Sequence, residues 1–244
     1  MKTPRVLATS GGLIPGPIQQ TWRLGTLLLD ALAMTEKVRP KVTYLATATG
    51  DMESEYARHY QAFGDAGCEV TALRLFPQPS VNFEEAVLGA DLVWVGGGSV
   101  ANLLALWELH GLDTYMRSAW EQGVIMGGRS AGSLCWFTGG NTDSYSNELD
   151  PVTNGLSLLP YANSVHYSGE PRRRDTFHNW MKDGTLPSLG YATDDRIGIW
   201  FEGLEPTTVV TDIPVDPKSG PAAYKVELVN GEISETRFGF GSSF

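Results

Sequence analysis

Cysteine is nearly absent: the 244 residues include only Cys68 and Cys135. Two thiols are too few for a disulfide framework or a four-ligand structural zinc site, and they suit a reducing compartment in which both stay buried. Basic residues are scarce as well. Lys and Arg number 18 against 28 Asp and Glu, a net charge of −10. Such a chain lacks the positive field that holds phosphate backbones, so nucleic acid is not an expected partner. Long apolar runs are missing too. The most apolar stretch, Ala86 to Trp107, is broken by Asp91, three consecutive glycines and Asn102, which a bilayer-spanning helix would not tolerate. Met1-Lys2-Thr3-Pro4-Arg5 leads into only a short apolar run before Ser10-Gly11-Gly12, so no secretion signal is expected. Together these absences predict a cytoplasmic protein without a membrane partner.

What is present is a core-forming composition. Hydrophobic residues make up 42% and charged ones 19%, which excludes a disordered chain. By surface scaling, a chain of this length buries about 72% of its unfolded surface, enough to fold without staples. No repeat and no compositional break divides it, so a single domain over residues 1–244 is expected.

The first 140 or so residues alternate between two periodicities. Short β-branched or apolar runs appear at Arg5–Thr9, Lys41–Ala46, Glu69–Leu75, Asp91–Val95 and Val124–Met126. Between them, Ile18–Met34, Glu53–Phe63, Ala101–His110 and Thr114–Gln122 read as helices. This alternation predicts an α/β fold, a mostly parallel sheet with helices on both faces. Gly139 to Pro160, rich in Gly, Asn, Asp and Ser, reads as a long surface loop. In the last third, Leu189–Thr193, Arg196–Phe201, Thr207–Thr211 and Ala223–Val229 read as antiparallel strands at the sheet edge. Such edges could pair two copies into a homodimer.

The strongest chemical signal is Val124-Ile125-Met126-Gly127-Gly128-Arg129-Ser130-Ala131-Gly132. An apolar strand running into Gly-x-Ser-x-Gly matches the turn that lifts a nucleophilic serine above a sheet. Glycines two residues to either side allow the close approach such a turn needs. The amide of Ala131 then stands at a helix N-terminus, ready for a developing oxyanion. A serine N-cap in an ordinary turn is the alternative. A second glycine cluster, Gly96-Gly97-Gly98-Ser99, follows another buried strand and would supply a second oxyanion donor from Gly98. It lacks the lysine of a phosphate loop.

A serine needs a base. His59, His110 and His178 lie on helix-like segments, with His178 expected to face outward. His166 ends the strand-like Tyr161–Val165 and precedes Tyr167-Ser168-Gly169, a strand-end loop where catalytic groups concentrate. Asp143, Glu170, Asp175, Asp194 and Asp195 are all available to orient the imidazole, and spacing does not choose among them.

With these residues assembled, the chain resembles the dipeptidase E (aspartyl dipeptidase) and cyanophycinase family of serine peptidases. The likeness rests on Val95–Ser99, Gly128–Gly132, Gly155-Leu156-Ser157-Leu158-Leu159-Pro160 and His166-Tyr167. It implies a sheet like that of class I glutamine amidotransferases, Ser130 as nucleophile and His166 as base. It implies Asp194 as third member, where the family often carries Glu, with Asp143 ranked behind it. It further implies short peptides with an N-terminal aspartate as substrates, for which Arg172 or Arg173 would hold the carboxylate. No metal or cofactor is called for. A β-aspartyl polymer such as cyanophycin, a carboxyl ester, or a non-catalytic binding role on the same scaffold are the alternatives.

Overall fold

The computed structural model describes residues 3–244. The chain opens with β1 (Arg5–Thr9), a hairpin of β2 (Leu13–Pro15) and β3 (Trp22–Leu24), then α1 (Thr26–Ala33). Next come β4 (Lys41–Leu45), α2 (Glu53–Asp65), β5 (Glu69–Ala72), β6 (Leu92–Val95), α3 (Val100–His110) and α4 (Leu112–Glu121). The short α5 (Ala131–Leu134) follows β7 (Ile125–Arg129) and leads into β8 (Phe137–Thr142), β9 (Asp150–Val152) and β10 (Leu159–Val165). The remainder is α6 (Pro171–Lys182), β11 (Leu189–Thr193), β12 (Ile197–Glu202), β13 (Glu205–Thr211), β14 (Ala223–Val229) and β15 (Glu232–Phe238).

Seven strands form the first sheet in the order β13-β12-β1-β7-β6-β4-β5. From β1 to β5 all neighbours are parallel, whereas β12 and β13 join antiparallel at one edge. The central strands are apolar on both sides because both faces are covered. On one face Leu27, Leu28, Tyr56 and Phe63 from α1 and α2 pack on Tyr44 and Trp94. On the other, Trp107, Met116 and Leu134 meet Val93, Val95 and Met126. The fold is therefore α/β, with a mostly parallel sheet flanked by helices and antiparallel edge strands.

Three local expectations need correction. The C-terminal strands do not all add to one sheet: β11, β14 and β15 join β8, β9 and β10 in a second, six-stranded sheet ordered β15-β14-β11-β10-β8-β9. The reason lies in α6, which turns β10–α6–β11 into a crossover and makes those two strands parallel. The stretch from Gly139 is not all loop, because β8 runs to Thr142 and is buried at Asn141 and Thr142. Its glycines fit there because a Cβ on Gly140 would strike the Asn163 carbonyl on β10. Finally, the helix read from Ile18 starts only at Thr26. Trp22–Leu24 pairs instead with Leu13–Pro15, closed by the Gly16 amide donating to the Thr21 carbonyl at 2.9 Å.

Candidate active site

Ser130 stands at the carboxyl end of β7, between the ends of β1 and β6. Its backbone has φ 56° and ψ −113°, a left-handed conformation that costs an L-residue on the order of 1–3 kcal/mol. Packing enforces it. A Cβ on Gly128 would run into the Gly132 carbonyl, and one on Gly132 into the Val95 carbonyl. Both glycines of the pentapeptide are thus required by backbone-to-backbone contact. The Ser130 amide donates to the Thr9 carbonyl at 2.9 Å, tying the turn to β1.

His166 meets it from the second sheet. Its Nε2 lies 3.1 Å from Ser130 Oγ, although the two are 36 residues apart. His166 also holds a left-handed backbone, φ 54°, and its amide donates to Ser10 Oγ at 3.1 Å. Ser10 Oγ is in turn 2.7 Å from Thr193 Oγ1. The end of β1 therefore clamps the histidine loop to the ends of β10 and β11.

The carboxylate at His166 Nδ1 is Asp195, not Asp194. Asp194 is 6% exposed and turns the other way. Its Oδ1 accepts from the Ser168 amide at 3.0 Å, and its Oδ2 from the Ala222 amide at 2.9 Å and the Tyr224 hydroxyl at 3.1 Å. β11 ends at Thr193, and Asp195 stands in the turn that follows, where it faces the imidazole. Asp143 is exposed and pairs loosely with Arg173 at 3.7 Å; His166 Nδ1 is taken by Asp195 instead. In the glycine loop, Gly97 rather than Gly98 has its α-carbon beside the nucleophile. A Cβ there would lie 3.9 Å from Ser130 Oγ. Gly98, at φ +135°, has its α-carbon against the Ala48 carbonyl. Among the described residues, the amides of Gly97, Gly98 and Ala131 donate to no backbone carbonyl.

With that geometry in view, comparison with known proteins decides the family. A family model described as peptidase family S51 matches residues 6–209. The chain belongs to peptidase family S51. It is accordingly a serine-type peptidase. A Bacillus subtilis (strain 168) protein named uncharacterized peptidase YgaJ is 36% identical over 206 residues, 84% of this chain and 85% of that one. A Shewanella denitrificans protein named Peptidase E is 26% identical over 152 residues, 59% of this chain and 62% of that one. Among solved structures, a peptidase from an acI-B1 Actinobacterium shares the fold. Its TM-score is 0.63 at 18% identity, covering 99% of this chain and 96% of that one.

The arginines that the family likeness offers for a substrate carboxylate have partners within this S51 peptidase. Arg172 is exposed and held by Glu148 at 2.8 Å and Glu170 at 3.0 Å. Arg173 is 6% exposed and donates to the Asn141 carbonyl at 3.1 Å. Burial pushes its pKa down, and its Nε has no partner among the described residues. Arg174 lies over the rings of Tyr167 and Tyr224 at 4.7 and 5.0 Å and binds Glu235 at 2.6 Å. Glu235 also accepts from the Tyr167 hydroxyl at 2.7 Å, and burial with that bond pushes the Tyr167 phenol up. His178, expected to face outward, is half-buried in this network, 2.8 Å from the Tyr167 hydroxyl. His59 is a packing residue, stacked on Tyr44 at 3.8 Å with its pKa lowered to about 4 by burial. His110 is half-buried in the last turn of α3, away from the serine's hydrogen bonds.

Sequence reasoning missed Ser10 and Glu235. Ser10 had a signal, since it ends a strand that had to neighbour β7. Glu235 had none. Among the described residues, no group of three or more His, Cys, Asp or Glu is placed to hold a metal ion. No described helix is long and apolar enough to cross a membrane.

Proposed function

We propose that this peptidase hydrolyses short peptides through an acyl-enzyme built on Ser130, with those carrying an N-terminal aspartate as the substrates to try first. The observation that carries the reading is the 3.1 Å approach of His166 Nε2 to Ser130 Oγ, with Asp195 on the far nitrogen. In this mechanism His166 takes the hydroxyl proton as Ser130 attacks the scissile carbonyl. Asp195 fixes the tautomer in which Nε2 is the acceptor and stabilises the imidazolium that forms. The amides of Ala131 and of the Gly97–Gly98 turn receive the carbonyl oxygen as it gains charge. His166 then returns the proton to the leaving amine, and a water repeats the sequence to release the acyl group. No step calls on a metal or organic cofactor.

We give Arg172 and Arg173 no substrate role: Arg172 is paired with Glu148 and Glu170, and Arg173 is buried with one Nη on the Asn141 carbonyl. The test is a panel of dipeptides assayed with Ser130→Ala. Turnover should fall by at least about 10³-fold with the thermal midpoint unchanged within about 2 °C. Undiminished hydrolysis would remove Ser130 from the mechanism.

A further inference from the structure

Two arginines adjoin members of the proposed triad in sequence. Arg129 immediately precedes Ser130, and Arg196 immediately follows Asp195. Both are exposed. Both line one open depression of about 400 Å³, together with Trp22, Pro15 and the Gly11–Gly12 turn, and Asp195 lies on its rim. Among the described residues neither guanidinium has a carboxylate within 4.0 Å, nor a hydrogen bond to any carbonyl or hydroxyl. In a chain of net charge −10, two uncommitted arginines beside the nucleophile are unexpected, and their neighbours explain why they stay free. Asp195 is engaged by His166. Asp212, the other acid of the depression, is 3% exposed and accepts the Gly12 amide at 2.7 Å. Burial lifts its pKa to about 6, and the charges of Arg196 and Arg129 act on it through space in the opposite sense.

We propose that Arg129 and Arg196 form a carboxylate subsite that binds the free C-terminal carboxylate of the peptide. The assignment rests on the peptidase reading above and adds a length limit to it. A guanidinium offers a carboxylate two parallel N–H donors, and two of them on one wall make a strong anion site. Residues advance at most about 3.5 Å each along an extended chain. The depression is bordered by the β2–β3 hairpin that carries Trp22. Its two arginines adjoin Ser130 and Asp195 in the chain, so an anion held there lies within one or two residues' reach of the scissile bond. A C-terminal carboxylate one or two residues past the scissile bond would reach the arginines, whatever side chains the peptide carries. The protein would select peptides by their free C-terminal end.

The experiment compares a dipeptide with its C-terminal amide, and an N-terminal Asp with an N-terminal Asn, in the wild-type chain and in Arg129→Gln and Arg196→Gln. Amidation should lower wild-type kcat/KM by about ten- to a hundredfold, the scale of a charge-assisted hydrogen-bond pair. Arg129→Gln should impose a similar loss on the free acid while changing turnover of the amide less than about threefold, with Arg129→Lys intermediate. Equal turnover of acid and amide by the wild-type protein would overturn the proposal. So would variants that discriminate Asp from Asn instead, since the arginines would then serve a side-chain carboxylate. Calorimetric binding of the same peptides to Ser130→Ala reads the subsite without chemistry. Preferential binding of the acid, lost with Arg129→Gln, would support it even if the peptidase mechanism failed, and equal binding would overturn it even if the mechanism held.

Discussion

The two sheets hold their halves of the site by different physics. The first fixes Ser130 by exclusion. Gly128, Gly132 and Val95 approach so closely that no other backbone path fits, and the determinants lie within a few residues of the serine or on the next strand. The second fixes His166 and Asp195 by polar satisfaction. Asp194 gathers donors from Ser168, Ala222 and Tyr224, and Arg174 bridges the Tyr167 and Tyr224 rings to Glu235. Those partners come from 26 to 68 residues away. A nucleophile held by sterics leaves a local pattern, while a carboxylate placed by a distributed network leaves almost none.

Substitution at the two neighbouring aspartates should split the comparison most sharply. Asp195→Asn removes the carboxylate charge and allows the wrong imidazole tautomer at an exposed position, so kcat should fall by about 10³-fold or more while the urea midpoint barely moves. Asp194→Asn replaces a buried acceptor with a group that must present N–H to other donors. It should cost about 3 kcal/mol of stability and lower kcat by much less, as measured by denaturant unfolding and steady-state kinetics on the same sample. Comparable losses of kcat at both positions would erase the distinction between orienting the imidazole and holding the loop.

A smaller effect probes the face of the first sheet away from the second. His59 is neutral in the fold with its pKa lowered to about 4, against about 6.5 in the unfolded chain. Its folded pKa is depressed, so the unfolded state binds the extra proton between those values. The stability this residue contributes is full above the unfolded pKa and drains away as pH falls toward 4. Urea unfolding of the wild-type protein at pH 7 and pH 5 should show about 2 kcal/mol more acid loss than His59→Phe, which keeps the stack on Tyr44 without a titrating ring. Equal acid loss in both proteins would place the pH dependence elsewhere.

The same contrast explains what could be read in advance. The parallel strands and their helices were legible because each buried face is written in local periodicity, as in Leu27, Leu28 and Leu32 on α1. Ser130 and His166 were legible because one sits in a tight glycine motif and the other at a strand end. Asp194 and Asp195 were indistinguishable, because which carboxylate faces the imidazole depends on where β14 lies. The second sheet went unread for a related reason. Gly139 and Gly140 suggest a loop until β10 is known to pass alongside. Arg172 and Arg173 looked available only while their partners at Glu148 and Asn141 were unknown.

The most direct test is covalent labelling of the wild-type protein with a fluorophosphonate, followed by peptide mass spectrometry, with His166→Ala as the control. A single adduct on Ser130 that disappears when the imidazole is removed is the predicted result. An unmodified Ser130, or one that labels equally well without His166, would contradict the account.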